Sequence, residues 1–147
     1  MIDKSEAIAL RIASFSRTSH VISWLTRESG KIITVAKGAL RPKSAFLGQY
    51  DLGYTCEIVY YARERGGVHV LKECAPLVTR PTLRADWRAG VAALYCCDAL
   101  NQSVSHGRDQ EVLFELATHT LDSLSSPYAS TTTALLGHVC KAAGKDA

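Results

Sequence analysis

The hydrophobic pattern of this chain changes once, in the segment from Pro76 to Pro81. Before that segment, apolar residues alternate with polar ones, which is the two-residue period of a strand. After it, apolar residues recur every three or four positions, which is the spacing of an amphipathic helix. The sequence therefore predicts a β-rich first part followed by a helical part.

The first part contains five short segments with strand character, separated by polar or glycine-containing turns. An open sheet of five strands would leave unpaired edges, so a small closed barrel is favoured, and the oligonucleotide/oligosaccharide-binding (OB) fold has this strand count. We expect Gly30 to supply a positive φ in the tight turn before the third strand. The predicted strands are Glu6–Phe15, Val21–Arg27, Lys31–Lys37, Tyr54–Tyr61 and Val68–Cys74.

The second part predicts three short helices. Thr82 is a candidate N-cap for the first helix, Asp109 for the second and Ser130 for the third. The apolar faces are Leu83, Trp87, Val91, Leu94 and Tyr95; then Leu113, Leu116, Ala117, Leu121 and Leu124; then Leu135, Leu136, Val139, Cys140 and Ala143. We thus predict an α+β protein with a five-stranded OB barrel at residues 1–79 and a small helical domain at residues 80–147.

Cations are concentrated in three of the predicted loops. Lys37, Arg41 and Lys43 follow the third strand, and no carboxylate interrupts them before Asp51. Arg17 lies between the first two strands. A solvated surface loop is the simpler explanation of one basic run, but with three basic loops beside a barrel, contact with a phosphate backbone becomes an alternative of equal weight. The third loop, between strands four and five, carries Arg63 and Arg65.

Composition narrows the class of protein. The net charge of +3 on 147 residues is too small to indicate nucleic acid by itself, and 47% apolar residues are typical of a packed domain. No stretch is apolar enough to cross a bilayer, and the N-terminus lacks a secretory pattern, so a cytoplasmic location without membrane contact is expected. The cysteines form no CxxC pair, which predicts buried free thiols and no zinc site; they are Cys56, Cys74, Cys96, Cys97 and Cys140.

No arrangement of residues predicts an enzyme or a cofactor site. The sequence contains neither a GxSxG nucleophile motif nor a GxxxxGK[ST] phosphate loop. Trp24 could stack on a base, but its apolar strand favours the barrel core. Of the adjacent Tyr60 and Tyr61, at least one should point outward.

Three segments between Ser14 and Gln49 carry a family resemblance: TSHV from Thr18, TRESGK from Thr26 and AKGALRPKS from Ala36. On the basis of these three segments, the chain resembles the RecO recombination mediators of bacterial DNA repair. The resemblance is strong over the first half and loose beyond it.

This resemblance implies an OB domain and a helical domain that bind and anneal single-stranded DNA at the nucleoid without catalysis. It implies partnership with RecR, contact with single-stranded-DNA-binding protein and help in loading RecA. Lys37, Arg41 and Lys43 would contact DNA. Arg17 is a weaker candidate, because many relatives carry an acid there.

Relatives usually continue with more helix and often a four-cysteine zinc module. The sequence is then either a short form or a piece of a longer chain. Two alternatives remain: a protein-interaction scaffold, or an RNA-binding OB module without annealing activity.

Overall fold

The computed structural model describes residues 1–64, 67–104 and 111–126. The order of its elements confirms the α+β class. Within the described ranges, no helix has the length and apolar character needed to span a bilayer. The strands are β1 (Ile2–Ser14), β2 (His20–Thr26), β3 (Gly30–Ala36), β4 (Thr55–Tyr61) and β5 (Val68–Val78), and the helices are α1 (Thr82–Ala85), α2 (Trp87–Ser103) and α3 (Glu111–Leu124).

The five strands form a closed barrel in the order β1-β2-β3-β5-β4. Strand β1 is long enough to pair with two neighbours, β4 through its first half and β2 through its second half. Closure is completed by a short parallel pairing of β3 with β5, from Ile33 opposite Val68 to Val35 opposite Val70. The predicted OB-like barrel is confirmed, and Gly30 has the expected positive φ of 67°.

A bulge in β1 changes which residues share a face. The alternation of apolar residues predicted that Ile8, Leu10 and Ile12 share one face of the strand. The pairing of β1 with β2, however, shifts register between Ala9 and Arg11. Ile8 and Leu10 lie in the core under the helices, whereas Ile12 packs against the barrel core. The single-face prediction is therefore wrong for Ile12, because one extra residue in a strand inverts the alternation after it.

Strand β5 is longer than predicted. It runs past Cys74 to Val78, and Pro76 lies opposite Cys56 beside a register irregularity. The prediction that Pro76 breaks the strand is wrong, because a proline lacking its N–H is tolerated where the ladder is already irregular.

The division into domains at residue 79 stays a prediction. The helices share a core with Ile8, Leu10 and Leu25 of the barrel.

The first predicted helix is divided in two. Helix α1 has four residues, its N-cap position is Pro81 rather than Thr82, and no side chain caps it. Asp86 adopts an extended conformation between α1 and α2, and its carboxylate accepts the N–H of Arg88 at 3.0 Å. The break lets α1 and α2 pack against each other. Their packing requires a glycine at position 90, because a Cβ there would come within 2.6 Å of the Leu83 carbonyl oxygen.

The predicted apolar face of α2 is mostly the exposed one. Small side chains on the opposite side allow the helix to lie close to β1, while the large ones extend away from the barrel. Only Leu83 of the predicted set is buried; Trp87, Val91, Leu94 and Tyr95 are 52–73% exposed. The buried residues of α2 are Ala89, Ala93, Cys96, Cys97 and Leu100.

Helix α3 matches the second predicted helix, and its predicted apolar residues lie in or against the core, joined by Phe114. Its candidate cap Asp109 and the whole predicted third helix from Ser130 lie outside the described residues. Cys56, Cys96 and Cys97 are buried, as predicted, whereas Cys74 is only half-buried, and Cys140 lies outside the described residues. Burial raises the pKa of the Cys97 thiol to about 12.

Candidate nucleic-acid interface

The segment between β3 and β4 is a series of tight turns anchored on the barrel. Phe46 and Tyr50 pack against the barrel core, and the Tyr50 hydroxyl lies 2.6 Å from Nδ1 of His20. Burial raises the pKa of Tyr50 to about 12, so this hydroxyl stays protonated. Six backbone N–H groups in the segment donate to the carbonyl three residues earlier, at 3.0–3.3 Å: those of Ala39, Arg41, Ser44, Leu47, Gln49 and Tyr54.

Three of the predicted contact residues meet in these turns. Lys37, Arg41 and Lys43 are exposed and line one depression of about 320 Å³, together with Ser44. Gly38 reverses the chain between the first two cations with a φ of 72°. Since the backbone is held by turn hydrogen bonds, the three cations are presented on one surface rather than on a free loop.

Arg17 is brought to the same region by the loop between β1 and β2. The Leu40 N–H donates to the Thr18 carbonyl at 2.9 Å, and the Gly38 N–H donates to the Ser19 hydroxyl at 3.2 Å. These two hydrogen bonds join the loop carrying Arg17 to the turn carrying Lys37 and Arg41. The Arg17 side chain is exposed.

Arg63 approaches Lys37 from the other side. Both residues line a groove of about 180 Å³ whose remaining lining is mostly apolar. Arg65 lies outside the described residues. Lys37 therefore belongs to both depressions and connects the turn cations with the loop between β4 and β5. The other residues of the groove are Phe15, Val35, Val68, His69 and Val70.

We call Arg17, Lys37, Arg41, Lys43 and Arg63 the cationic surface. In the part of the chain that the structure describes, none of the five forms an ion pair. Other cations are used inside the fold. Arg27 pairs with Glu6 at 3.0 Å and with Glu115, and Lys4 pairs with Glu57 at 3.2 Å. The Lys31 ammonium donates to the Asn101 carbonyl at 2.6 Å. Arg11, Lys72 and Arg88 are exposed and form no ion pair among the described residues either, so what distinguishes the cationic surface is that its members lie together.

His69 is a neutral member of the groove. Its Nδ1 accepts the backbone N–H of Arg63 at 2.9 Å. Burial, followed by repulsion from Arg63, lowers the pKa of His69 below its ordinary value, although Asp3 acts in the opposite direction. Nδ1 can accept this hydrogen bond only while the imidazole is unprotonated there.

This lowered pKa predicts an acid-sensitive loop. Because the folded pKa lies below the unfolded value of about 6.5, the contribution of His69 to stability is complete above that pH. It is lost as the pH falls through the folded pKa. We expect the His69→Gln variant to lose less stability than the wild type between pH 7.5 and pH 5, measured by urea denaturation. An equal loss in both proteins would contradict the assignment.

The aromatic residues divide between core and surface. Trp24 is fully buried, and its Nε1 donates to the Thr34 hydroxyl at 2.9 Å, which confirms the core prediction. Tyr60 is buried while Tyr61 is 43% exposed, as the strand alternation requires. Sequence reasoning missed Phe15, which it placed at the end of a strand and which is 62% exposed beside the groove.

Sequence reasoning also missed Arg80. This residue is 3% exposed and links the barrel to α3 through hydrogen bonds to Gly53, Thr55 and Asp122. A cation that follows a threonine and precedes a proline gives no local signal of burial. Among the described residues, no three His, Cys, Asp or Glu side chains come together as a metal site would require.

Known proteins resemble this chain over most of its length. The family model described as recombination protein O N terminal matches residues 1–80. The DNA repair protein RecO of Exiguobacterium sibiricum is 28% identical over 124 residues, which are 84% of this chain and 49% of that protein. The RecO proteins of Chloroherpeton thalassium and Bacillus pumilus are 29% and 28% identical over 71% and 85% of this chain. This chain spans less than half the length of each of the three.

Proposed function

We propose, from the premise that this chain belongs to the family described as recombination protein O N terminal, that it binds single-stranded DNA in DNA repair and homologous recombination. The observation that carries the proposal is the cationic surface. Five exposed cations from three loops converge around Lys37, and none is ion-paired within the described residues. The relatives' printed name, DNA repair protein RecO, supports DNA rather than another polyanion.

The surface would hold phosphates with little sequence preference. Lys and Arg that contact a nucleic-acid backbone neutralise its charge and release condensed counterions. Two strands approaching each other carry like charges, and their repulsion opposes pairing. A protein that neutralises both strands lowers this barrier, so the same cations would support annealing without any catalytic group.

The helical part would contact proteins. The exposed side of α2 presents Trp87, Val91, Leu94 and Tyr95 as an apolar stripe, and contiguous apolar surface of this kind is typical of protein-binding sites. We place the chain in the bacterial cytoplasm at the nucleoid. Its partners there would be RecR, single-stranded-DNA-binding protein and, indirectly, the RecA filament. These partners rest on the family resemblance and on the exposed stripe.

A salt series tests DNA binding directly. For single strands, log K falls with log salt at about −0.7 per phosphate neutralised. The triple variant Lys37→Ala, Arg41→Ala, Lys43→Ala should bind an unstructured oligonucleotide more weakly, with a slope flatter by about 2, which is three contacts at that value. Fluorescence anisotropy at several salt concentrations measures both quantities.

A matched triple variant separates location from net charge. Lys4→Ala, Lys72→Ala, Arg88→Ala removes the same charge from exposed positions outside the cationic surface. It should keep the wild-type slope. If both variants and the wild type show one shallow slope, the proposal is wrong and a protein-interaction scaffold becomes the better function. If structured RNA outcompetes single-stranded DNA, the RNA-binding alternative replaces it.

A further inference from the structure

We propose that Phe15 stacks on an unpaired base of the bound strand, so that this surface selects unpaired bases as well as phosphates. The inference rests on the proposed function, because it requires a nucleic acid on the cationic surface. Phe15 is 62% exposed at the end of β1. Its ring borders the groove of about 180 Å³ that Lys37 and Arg63 also line.

The groove has the two kinds of surface that a nucleotide needs. Apolar side chains of Val35, Val68 and Val70 line it together with the cations Lys37 and Arg63. A base has an apolar π-face and its phosphate is an anion. A single exposed aromatic residue would not indicate a ligand by itself, because scattered apolar residues are common on protein surfaces. The combination with apolar lining and two cations is what points to a nucleotide.

The Phe15 backbone is already held in position. Its N–H donates to the Ser19 carbonyl at 2.9 Å, which closes the loop between β1 and β2. The same loop is hydrogen-bonded to Gly38 and Leu40. Little backbone freedom is therefore lost when a base docks, and preorganisation of this kind reduces the free-energy cost of binding.

Other aromatic residues near the barrel are already engaged. Trp24 and Tyr60 are buried in the barrel core. The Arg84 guanidinium covers the Tyr54 ring, 4.6 Å from its centroid, and the Lys72 ammonium lies 6.0 Å from the centroid of Tyr61. Phe46 lines the depression beside Lys37, Arg41 and Lys43, but it is half-buried and packs against the barrel core, whereas Phe15 is exposed.

Stacking on Phe15 would distinguish single strands from duplexes. In a duplex both faces of an internal base are covered by its neighbours, so a protein ring can reach a base face only in a single strand or at an end. Every base has a π-face, so stacking selects unpaired bases without selecting sequence. Phosphate contacts alone would not make this distinction.

The test compares two oligonucleotides of equal length, one of thymidines and one of abasic nucleotides with the same number of phosphates. Anisotropy titrations use the full chain at several salt concentrations. The wild type should prefer the thymidine strand. Phe15→Ala should lower affinity for that strand by about fivefold to 150-fold, leave the salt slope unchanged and remove the preference over the abasic strand. Phe15→Tyr should retain the preference.

Tyr61→Ala is the matched control, because Tyr61 is an exposed aromatic residue of β4 that does not line this groove. It should bind both strands as the wild type does. If Phe15→Ala binds the thymidine strand like the wild type, with salt-dependent affinity still present, stacking is overturned while DNA binding stands. If neither strand binds in a salt-dependent way, the proposed function fails and this inference fails with it.

Discussion

Replacement of Arg80 by alanine is expected to lower the free energy of unfolding by about 2–6 kcal/mol, because two buried acceptors lose their donor at about 1–3 kcal/mol each. The Arg80 side chain is 1% exposed. Its Nε donates to the Asp122 carboxylate at 2.8 Å, and its Nη1 donates to the Gly53 carbonyl and the Thr55 hydroxyl at 2.8 and 2.9 Å. Removal of the guanidinium leaves buried acceptors without a donor and removes one of the links between α3 and the barrel. Urea denaturation measures the loss.

Two further variants isolate the cause. Arg80 has a φ of 48°, a left-handed conformation that disfavours any side chain. Arg80→Gly removes the guanidinium and also relieves this strain, so it should be about 1 kcal/mol more stable than Arg80→Ala. Arg80→Lys should recover little, because an ammonium cannot reproduce the planar donor arrangement. A loss below about 1 kcal/mol in Arg80→Ala, the value of one ordinary hydrogen bond, would contradict the linking role.

Replacement of Trp24 by alanine is expected to cost about 3–5 kcal/mol, the usual range for deleting a large buried aromatic side chain. Trp24 is fully buried, its indole N–H donates to Thr34, and its ring meets the edge of Tyr50 with centroids 6.4 Å apart. The variant would leave a cavity inside the barrel and an unpaired Thr34 hydroxyl. Thermal or urea unfolding, followed by circular dichroism, measures the change.

Trp24→Phe separates core packing from a role in binding. It keeps most of the ring volume and loses only the hydrogen bond to Thr34, so its stability loss should be much smaller than that of Trp24→Ala. Its affinity for single-stranded DNA should equal that of the wild type, because a buried ring cannot stack on a base. Reduced affinity in a stably folded Trp24→Phe protein would show that the ring reaches the ligand.

The buried side of helix α2 could not be predicted from the sequence. The periodicity correctly indicated a helix, but it assigned the apolar face to Trp87, Val91, Leu94 and Tyr95, which are exposed. Both sides of the helix are apolar, and hydrophobicity favours the larger residues. The buried side is the one with small residues such as Ala89 and Ala93, since close approach to β1 requires small side chains. Only the position of the barrel decides between the two sides.

The sequence by itself determined the five strands, their turns and the basic loops. Strand alternation and the glycine turn at Gly30 are local properties, encoded within a few residues of each other. The tertiary structure decided what these segments do together. It brought Arg17, Lys37 and Arg63 to one surface, exposed Phe15 beside them and buried Arg80 against Asp122, 42 residues away in the chain. Such contacts join residues from separate elements, so no local sequence pattern predicts them. Which polar groups become buried depends on how the elements pack against one another.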